Sequence, residues 1–222
     1  MARQLSAFER LDGHDGLFVA HNGKLRCSAI ALKDGRLCLF SPVQGLGPEA
    51  RESLAEIGEV AFLLAPNHYH NKALKEFTEA FPAAGLCAPQ GAIERLQKVT
   101  GLEFESLEVV ESSLIKAMDF VEPAGLKTGE AWLRCRNGSG VAWCVVDAFC
   151  GPQIRKSQPG CDTPELLKTF PTYGTGDKAA YKAWVQKQIH SDKPQTLIPC
   201  HGAIVRAKDL PAKLEALVDA VF

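Results

Sequence analysis

Two histidines separated by one residue, His68 and His70, follow the apolar run "AFLLAP" in a chain that contains 6 histidines. Side chains alternate along an extended segment, so both imidazoles of such a pair lie on the same side. Asp147 follows the apolar run "VAWCVV", and His201 follows "TLIP". Two or three neutral imidazoles and a carboxylate are the ligand types that a zinc-sized cation prefers.

All of these polar residues come after an apolar segment that has the length and composition of a buried strand. In open α/β folds, ligands bind beyond the carboxyl ends of the strands, where residues remote in sequence converge. The pattern therefore predicts one metal site formed by His68, His70, Asp147 and His201.

The elements that position these residues begin with a β-meander. Asp34 and Gly35 separate two apolar runs in "CSAIALKDGRLCLFSP" and predict a hairpin turn. A helix is predicted over "PEARESLAEIG", which starts with proline and ends with glycine. Pro66 ends the following strand, and "NKALKEFTEAFP" carries an apolar stripe with helical spacing. The histidine pair is thus predicted to lie between a strand and a helix.

The second half repeats this order. A strand at "AGLCAP" and a helix at "GAIERLQKV" lead into a β-rich section, in which turn residues 137–140 predict a hairpin. A helix over "KAAYKAWVQKQI", the strand "QTLIP" and an amphipathic C-terminal helix follow. The longest linker-like stretch is the loop "FCGPQIRKSQPGCDTP", so a single domain over residues 1–222 is predicted.

Composition excludes several classes of partner. The formal charge of -1 and the pI of about 6.6 provide no basic field for nucleic acid or an anionic membrane. No apolar run reaches the ~18 residues of a membrane span, and the N-terminal residues lack the apolar core of a signal peptide. The 8 cysteines are scattered without a CxxC pair, which favours free thiols in a reducing compartment. We expect a cytoplasmic protein whose partner is a small-molecule substrate or ligand.

The stretch "HYHNKALKEFTEAFP" resembles the His-x-His-x-Asp-His motif and the following helix of the metallo-β-lactamase superfamily. The segment "LIPCHGAIV" resembles the closing strand and histidine of that family, and Asp147 matches its later metal-binding aspartate. The similarity extends roughly from Gly16 to His201. It implies an α/β fold, an αββα sandwich in which two mixed β-sheets pack face to face with helices outside.

Several positions depart from the family pattern. Lys72 and Ala73 stand where the motif has Asp-His, Leu126 stands at the middle histidine, and Ser41 lies near the position of the first aspartate. The chain is more similar to a divergent branch with "SP" and "APN" at the corresponding places than to active lactamases. The resemblance implies a degenerate site that holds one zinc, another divalent transition metal, or no metal. Lys72 is cationic at neutral pH and is a poor substitute for a water-orienting carboxylate.

Two functions remain open at this point. The first is a metal-dependent hydrolase of a small ester, thioester, lactone or phosphoester, with Ser41, Asn67, Tyr69 and Lys72 around the substrate pocket. The second is a non-catalytic scaffold that serves as a binding or interaction module. Neither a catalytic residue nor an oligomeric state is predicted.

Structural explanations also exist for each candidate ligand. The histidine pair can cap the adjacent helix, Asp147 can accept backbone N–H bonds, and His201 can cap a turn. Cys200 beside His201 resembles a nucleophile next to its base, but adjacent strand residues point to opposite faces. Tryptophans 132, 143 and 184 have apolar neighbours and are expected in the core.

Overall fold

The computed structural model describes residues 3–136, 138–154 and 161–222. Asn137, which the sequence assigns to a turn, and residues 155–160 of the predicted long loop lie outside the described residues. Within the described part, no helix is long and apolar enough to cross a membrane.

Among the residues that the structure describes, the first sheet has seven strands that pair in chain order. They are β1 (Glu9–Arg10), β2 (Leu17–Asn22), β3 (Leu25–Ala31), β4 (Leu37–Phe40), β5 (Val60–Leu64), β6 (Gly85–Ala88) and β7 (Glu105–Ser106). Strands β1 to β4 form the predicted antiparallel meander, whose β3–β4 turn has Gly35 at a φ of 83°. Strands β4 to β7 run parallel. Parallel neighbours need crossover connections, and these contain helices α1 (Pro48–Ile57), α2 (Leu74–Ala80) and α3 (Gln90–Thr100).

The described part of the second sheet has five strands in the order β12-β11-β10-β9-β8. They are β8 (Met118–Val121), β9 (Trp132–Cys135), β10 (Ala142–Val145), β11 (Thr196–Pro199) and β12 (Val205–Arg206). The predicted hairpin is present as the antiparallel pair β9–β10. Strand β11 lies parallel to β10. Short helices α4 (Glu108–Glu111) and α5 (Phe170–Tyr173) and the longer α6 (Lys178–Asp192) and α7 (Leu210–Val221) complete the chain.

Two hydrophobic cores follow from the alternation of side chains along β4. Cys38 and Phe40 belong to the core that includes Trp132 and Trp143 of the second sheet, whereas Leu37 and Leu39 belong to the core shared with helices α1 to α3. Phe40 stacks on Phe120 with ring centroids 6.4 Å apart and so joins the two sheets. The predicted sandwich of two mixed sheets with helices outside is therefore confirmed.

Candidate metal centre

Three strand ends meet at one edge of the sandwich. His70 lies beyond β5, Asp147 beyond β10 and His201 beyond β11. The Nε2 atom of His70 is 3.2 Å from Oδ1 of Asp147, and Nε2 of His201 is 3.0 Å from the same oxygen. The three candidate ligand atoms lie within 4.8 Å of one another. The side chain of His70 is 12% exposed, that of Asp147 5% and that of His201 20%. Solvent therefore reaches the two imidazoles in part and the carboxylate very little.

These separations fit a small cation. Ligand atoms about 2.0–2.1 Å from a tetrahedral zinc ion are about 3.3 Å apart from each other. The two His–Asp separations are close to that value, and the donor set of two imidazole nitrogens and one carboxylate oxygen suits a divalent transition metal.

Ser41 forms a hydrogen bond with Nδ1 of His70, the ring nitrogen that does not face Asp147. Its Oγ is 2.7 Å from Nδ1 of His70, and its backbone has a φ of 58°, which is rare for a residue other than glycine. A hydrogen bond at Nδ1 orients the ring and directs Nε2 toward Asp147. Ser41 is buried, and its hydroxyl is engaged by His70. The geometry supports orientation of His70 and not nucleophilic attack.

Asn67 lies beneath the cluster. Its Nδ2 donates to Oδ2 of Asp147 at 2.9 Å, and its Oδ1 accepts from the backbone N–H groups of Tyr69 at 2.8 Å and His70 at 3.1 Å. Asn67 is fully buried and does not line the pocket, which differs from its expected place around the substrate. It joins the carboxylate of Asp147 to the backbone that carries His70.

Glu130 is a buried partner of Asp147 that the sequence analysis missed. Its carboxylate accepts from Nε1 of Trp132 at 2.6 Å, from the backbone N–H of Asp147 at 3.3 Å and from Nδ2 of Asn67 at 3.3 Å. Burial, followed by repulsion from Asp147, raises the pKa of Glu130. Burial opposes ionisation of Asp147, but hydrogen bonds from His201, His70 and Asn67 hold its pKa well below the usual range. The negative charge of the pair therefore resides on Asp147, which faces the imidazoles.

The structure leaves His68 outside the cluster. Its side chain is buried against Tyr69, and its Nε2 has no hydrogen-bond partner among the described residues. The reason is local: His70 N bonds Asn67 O at 3.3 Å, which makes the segment a turn and not an extended chain. Residues two apart then no longer share a face, so the expectation of a paired His68 and His70 differs from the observed geometry.

A pocket of 490 Å³ opens beside the cluster. The expected residues Ser41, Tyr69 and Lys72 line it, and Lys72 is exposed to solvent. The remaining lining residues are Leu25, Pro42, Val43, Gln44, His70, Asn71, Ala73, Asp147, Tyr173, Cys200 and His201. The wall therefore combines apolar and aromatic side chains with polar ones, and the His–Asp–His cluster is the part of it that can hold a metal.

Tyr173 and Cys200 also line the pocket, and both have a raised pKa. Burial and the nearby charge of Asp147 raise the pKa of Tyr173, so its phenol is protonated and serves as a donor at neutral pH. Sequence reasoning missed Tyr173 because it follows a loop with no local motif. Burial raises the pKa of the Cys200 thiol to about 12, which makes it a poor nucleophile at neutral pH.

No protein-family model and no curated protein sequence matches the chain. The metallo-β-lactamase DIM-1 is similar in structure, with a TM-score of 0.65, 10% identity and 100% of each chain covered. A metallo-β-lactamase from Pontibacter korlensis has a TM-score of 0.64 and 11% identity, covering 97% of this chain and 99% of its own.

A variant of the flavo di-iron protein from Thermotoga maritima reaches a TM-score of 0.68 at 14% identity. It covers 100% of this chain, which spans 62% of that longer protein. The predicted resemblance is thus confirmed at the level of the fold. The chain has the metallo-β-lactamase fold, and the low identities say nothing further about its reaction.

Proposed function

We propose that this chain, with its metallo-β-lactamase fold, is a hydrolase of a small ester, thioester, lactone or phosphoester that depends on one divalent transition metal. The observation that carries the proposal is the convergence of His70, Asp147 and His201 within 4.8 Å in the wall of a 490 Å³ pocket. Three protein ligands with one open position are the arrangement of catalytic zinc sites.

The donor set favours one metal and not two. Lys72, Ala73 and Leu126 occupy the positions at which the family pattern has further ligands. Ala73 has no ligand atom, and Leu126 does not line the pocket. Lys72 is exposed, and its ammonium group at neutral pH has no lone pair to offer as a fourth ligand.

Side chains around the cluster orient the ligands and form the wall of the substrate pocket. Ser41 orients His70, and Asn67 orients the carboxylate of Asp147. Tyr69 and Tyr173 pack edge to face at 5.2 Å and form the aromatic wall against which a substrate would lie. A bound divalent cation supplies Lewis acidity that polarises a carbonyl or phosphoryl oxygen and acidifies water.

The alternative of a non-catalytic scaffold explains less of the site. A scaffold without a metal gives no role to the convergence of two imidazoles and one carboxylate in the wall of a pocket. The predicted cytoplasmic location, the absence of nucleic-acid and membrane partners and the single domain over residues 1–222 stay predictions of the sequence.

Metal analysis and ester hydrolysis test this function together. Protein purified without chelator is expected to contain or take up about 1 equivalent of zinc, cobalt or manganese, in line with one three-ligand site. Hydrolysis of 4-nitrophenyl acetate, a thioester or a phosphodiester is expected to fall more than about 10-fold after chelation and to recover when metal returns. Less than about 0.1 equivalent with no uptake on addition of zinc would contradict the proposal.

Ser41→Ala tests the outer support of the site. Removing the hydroxyl frees the His70 ring, and loss of such a partner typically lowers metal affinity about 10- to 100-fold. Competition with a chromophoric chelator measures the zinc dissociation constant. Ser112→Ala is the matched control, because Ser112 is exposed and its hydroxyl donates to the carbonyl of Val109 and not to a residue of the cluster. Equal affinities in the two variants would refute the role of Ser41.

A further inference from the structure

Arg26, the second residue of β3, is a buried cation in the part of the chain that the structure describes. Its residue exposure is 6%, and burial lowers its pKa to about 10, so the guanidinium remains charged at neutral pH. Its side chain bonds to backbone carbonyls, and no described carboxylate pairs with it. Burying a charge without an ionic partner is costly, so the position of Arg26 needs a reason.

The two carbonyls that it binds lie on either side of His201. Nη1 of Arg26 donates to the oxygen of Pro199 at 2.9 Å and to the oxygen of Gly202 at 2.7 Å. Pro199 is the last residue of β11, and Gly202 directly follows His201. One side-chain nitrogen therefore joins the end of the strand to the loop beyond the candidate ligand.

Backbone hydrogen bonds strengthen the same connection. The N–H of Arg26 donates to Cys200 O at 2.9 Å, and the N–H of Gly202 donates to Lys24 O at 2.7 Å. The start of β3 in the first sheet is thus bonded to the segment that carries His201 in the second sheet. Without the Arg26 side chain, the carbonyls of Pro199 and Gly202 would lose their charged donor.

Backbone atoms of Gly151 also contact the segment that carries His201. The N–H of Gly151 donates to the oxygen of His201 at 2.9 Å. Gly202 has a φ of 88°, and a Cβ there would lie 1.9 Å from the oxygen of Gly151. The loop is therefore tightly confined between the segment at Gly151 and Arg26, which fixes where the His201 ring emerges.

We propose that Arg26 is a positioning residue for His201, which holds the loop so that Nε2 of His201 meets Oδ1 of Asp147. The inference rests on the proposed function, because its consequence is an intact His–Asp–His cluster. A guanidinium presents its N–H groups in a rigid plane, whereas a lysine ammonium is a shorter and less directional donor. Arg26→Lys should therefore hold the His201 loop better than Arg26→Met does, but less well than Arg26.

The first test uses metal-free protein. Long-range ¹H–¹⁵N spectra report the hydrogen bonding of the imidazole nitrogens, and His201→Gln assigns the His201 signals. Arg26→Met is expected to shift the Nε2 signal of His201, and Arg26→Lys to shift it less. Arg134→Met is the control, because Arg134 pairs with Asp119 and makes no contact with the His201 loop among the described interactions.

The second test uses protein loaded with cobalt or zinc. Arg26→Met is expected to change the visible absorption of the cobalt form and to lower zinc affinity about 10- to 100-fold, as loss of an outer support does. Arg134→Met should leave both unchanged even if it lowers the urea midpoint. If Arg26→Met does not fold, the cobalt spectrum and the zinc affinity of Arg26→Lys test the proposal instead.

The outcomes separate the two proposals. Unchanged His201 ring signals in a folded Arg26 variant would overturn the role of Arg26, whether or not metal binds. A wild-type protein that binds no metal would refute the proposed function, while a shifted His201 signal in Arg26→Met would still support the positioning role.

Discussion

Zinc binding is expected to be lost in His70→Ala and to persist in His68→Ala. Nε2 of His70 lies 3.2 Å from Asp147 and belongs to the cluster, whereas the buried ring of His68 packs against Tyr69 outside it. Loss of a direct ligand should cost more than the roughly 100-fold upper end of an outer-partner substitution. Equilibrium dialysis against zinc measures both variants and the wild type.

His201→Ala and Asp147→Ala are expected to behave like His70→Ala, since each removes one of the three ligand atoms. Urea unfolding of the metal-free proteins controls for loss of the fold. Retention of zinc by folded His70→Ala, or its loss in folded His68→Ala, would place the metal elsewhere.

Glu130→Ala is expected to lower the free energy of unfolding by about 1–3 kcal/mol, the usual cost of leaving a buried donor without its acceptor. The substitution leaves Nε1 of Trp132 and the backbone N–H of Asp147 without their acceptor. It also creates a cavity beneath the cluster, because Glu130 is only 1% exposed. Urea denaturation at pH 7 measures the change.

Two further variants make this result specific. Glu130→Gln keeps the volume and one acceptor oxygen, so its loss should be smaller than that of Glu130→Ala. Glu108→Ala, on the exposed face of α4, should change stability by no more than about 0.5 kcal/mol. A loss below about 1 kcal/mol in Glu130→Ala would show that the network is not important for stability.

Local patterns were sufficient for most of the sandwich. The turn at Asp34 and Gly35, the apolar runs on either side of it and Pro48 at the start of α1 depend on neighbouring residues, and the structure confirms the elements they predict. The resemblance around residues 68–82 supplied the arrangement of two sheets, which the structural comparisons confirm at fold level.

Local patterns were insufficient where the backbone leaves regular structure. Alternation placed His68 beside His70, but the turn stabilised by Asn67 rotates His68 out of the cluster. The side chain of Asn67, which accepts from the backbone of this turn, also donates to Asp147, which is 80 residues away along the chain. A strand rule applied to residues 67–70 cannot include such a distant hydrogen bond.

The sequence by itself determined which candidate ligands are present and which apolar strands end beside them. It also determined that Lys72, Ala73 and Leu126 stand where the family pattern has further ligands. Only the tertiary structure decided that His70, Asp147 and His201 meet, and that Glu130 and Arg26 support them from beneath and from the other sheet. The physical reason is the range of the interactions. Periodicity and turn preferences act over a few residues, whereas a shared ligand geometry arises when two sheets pack and bring strand ends together.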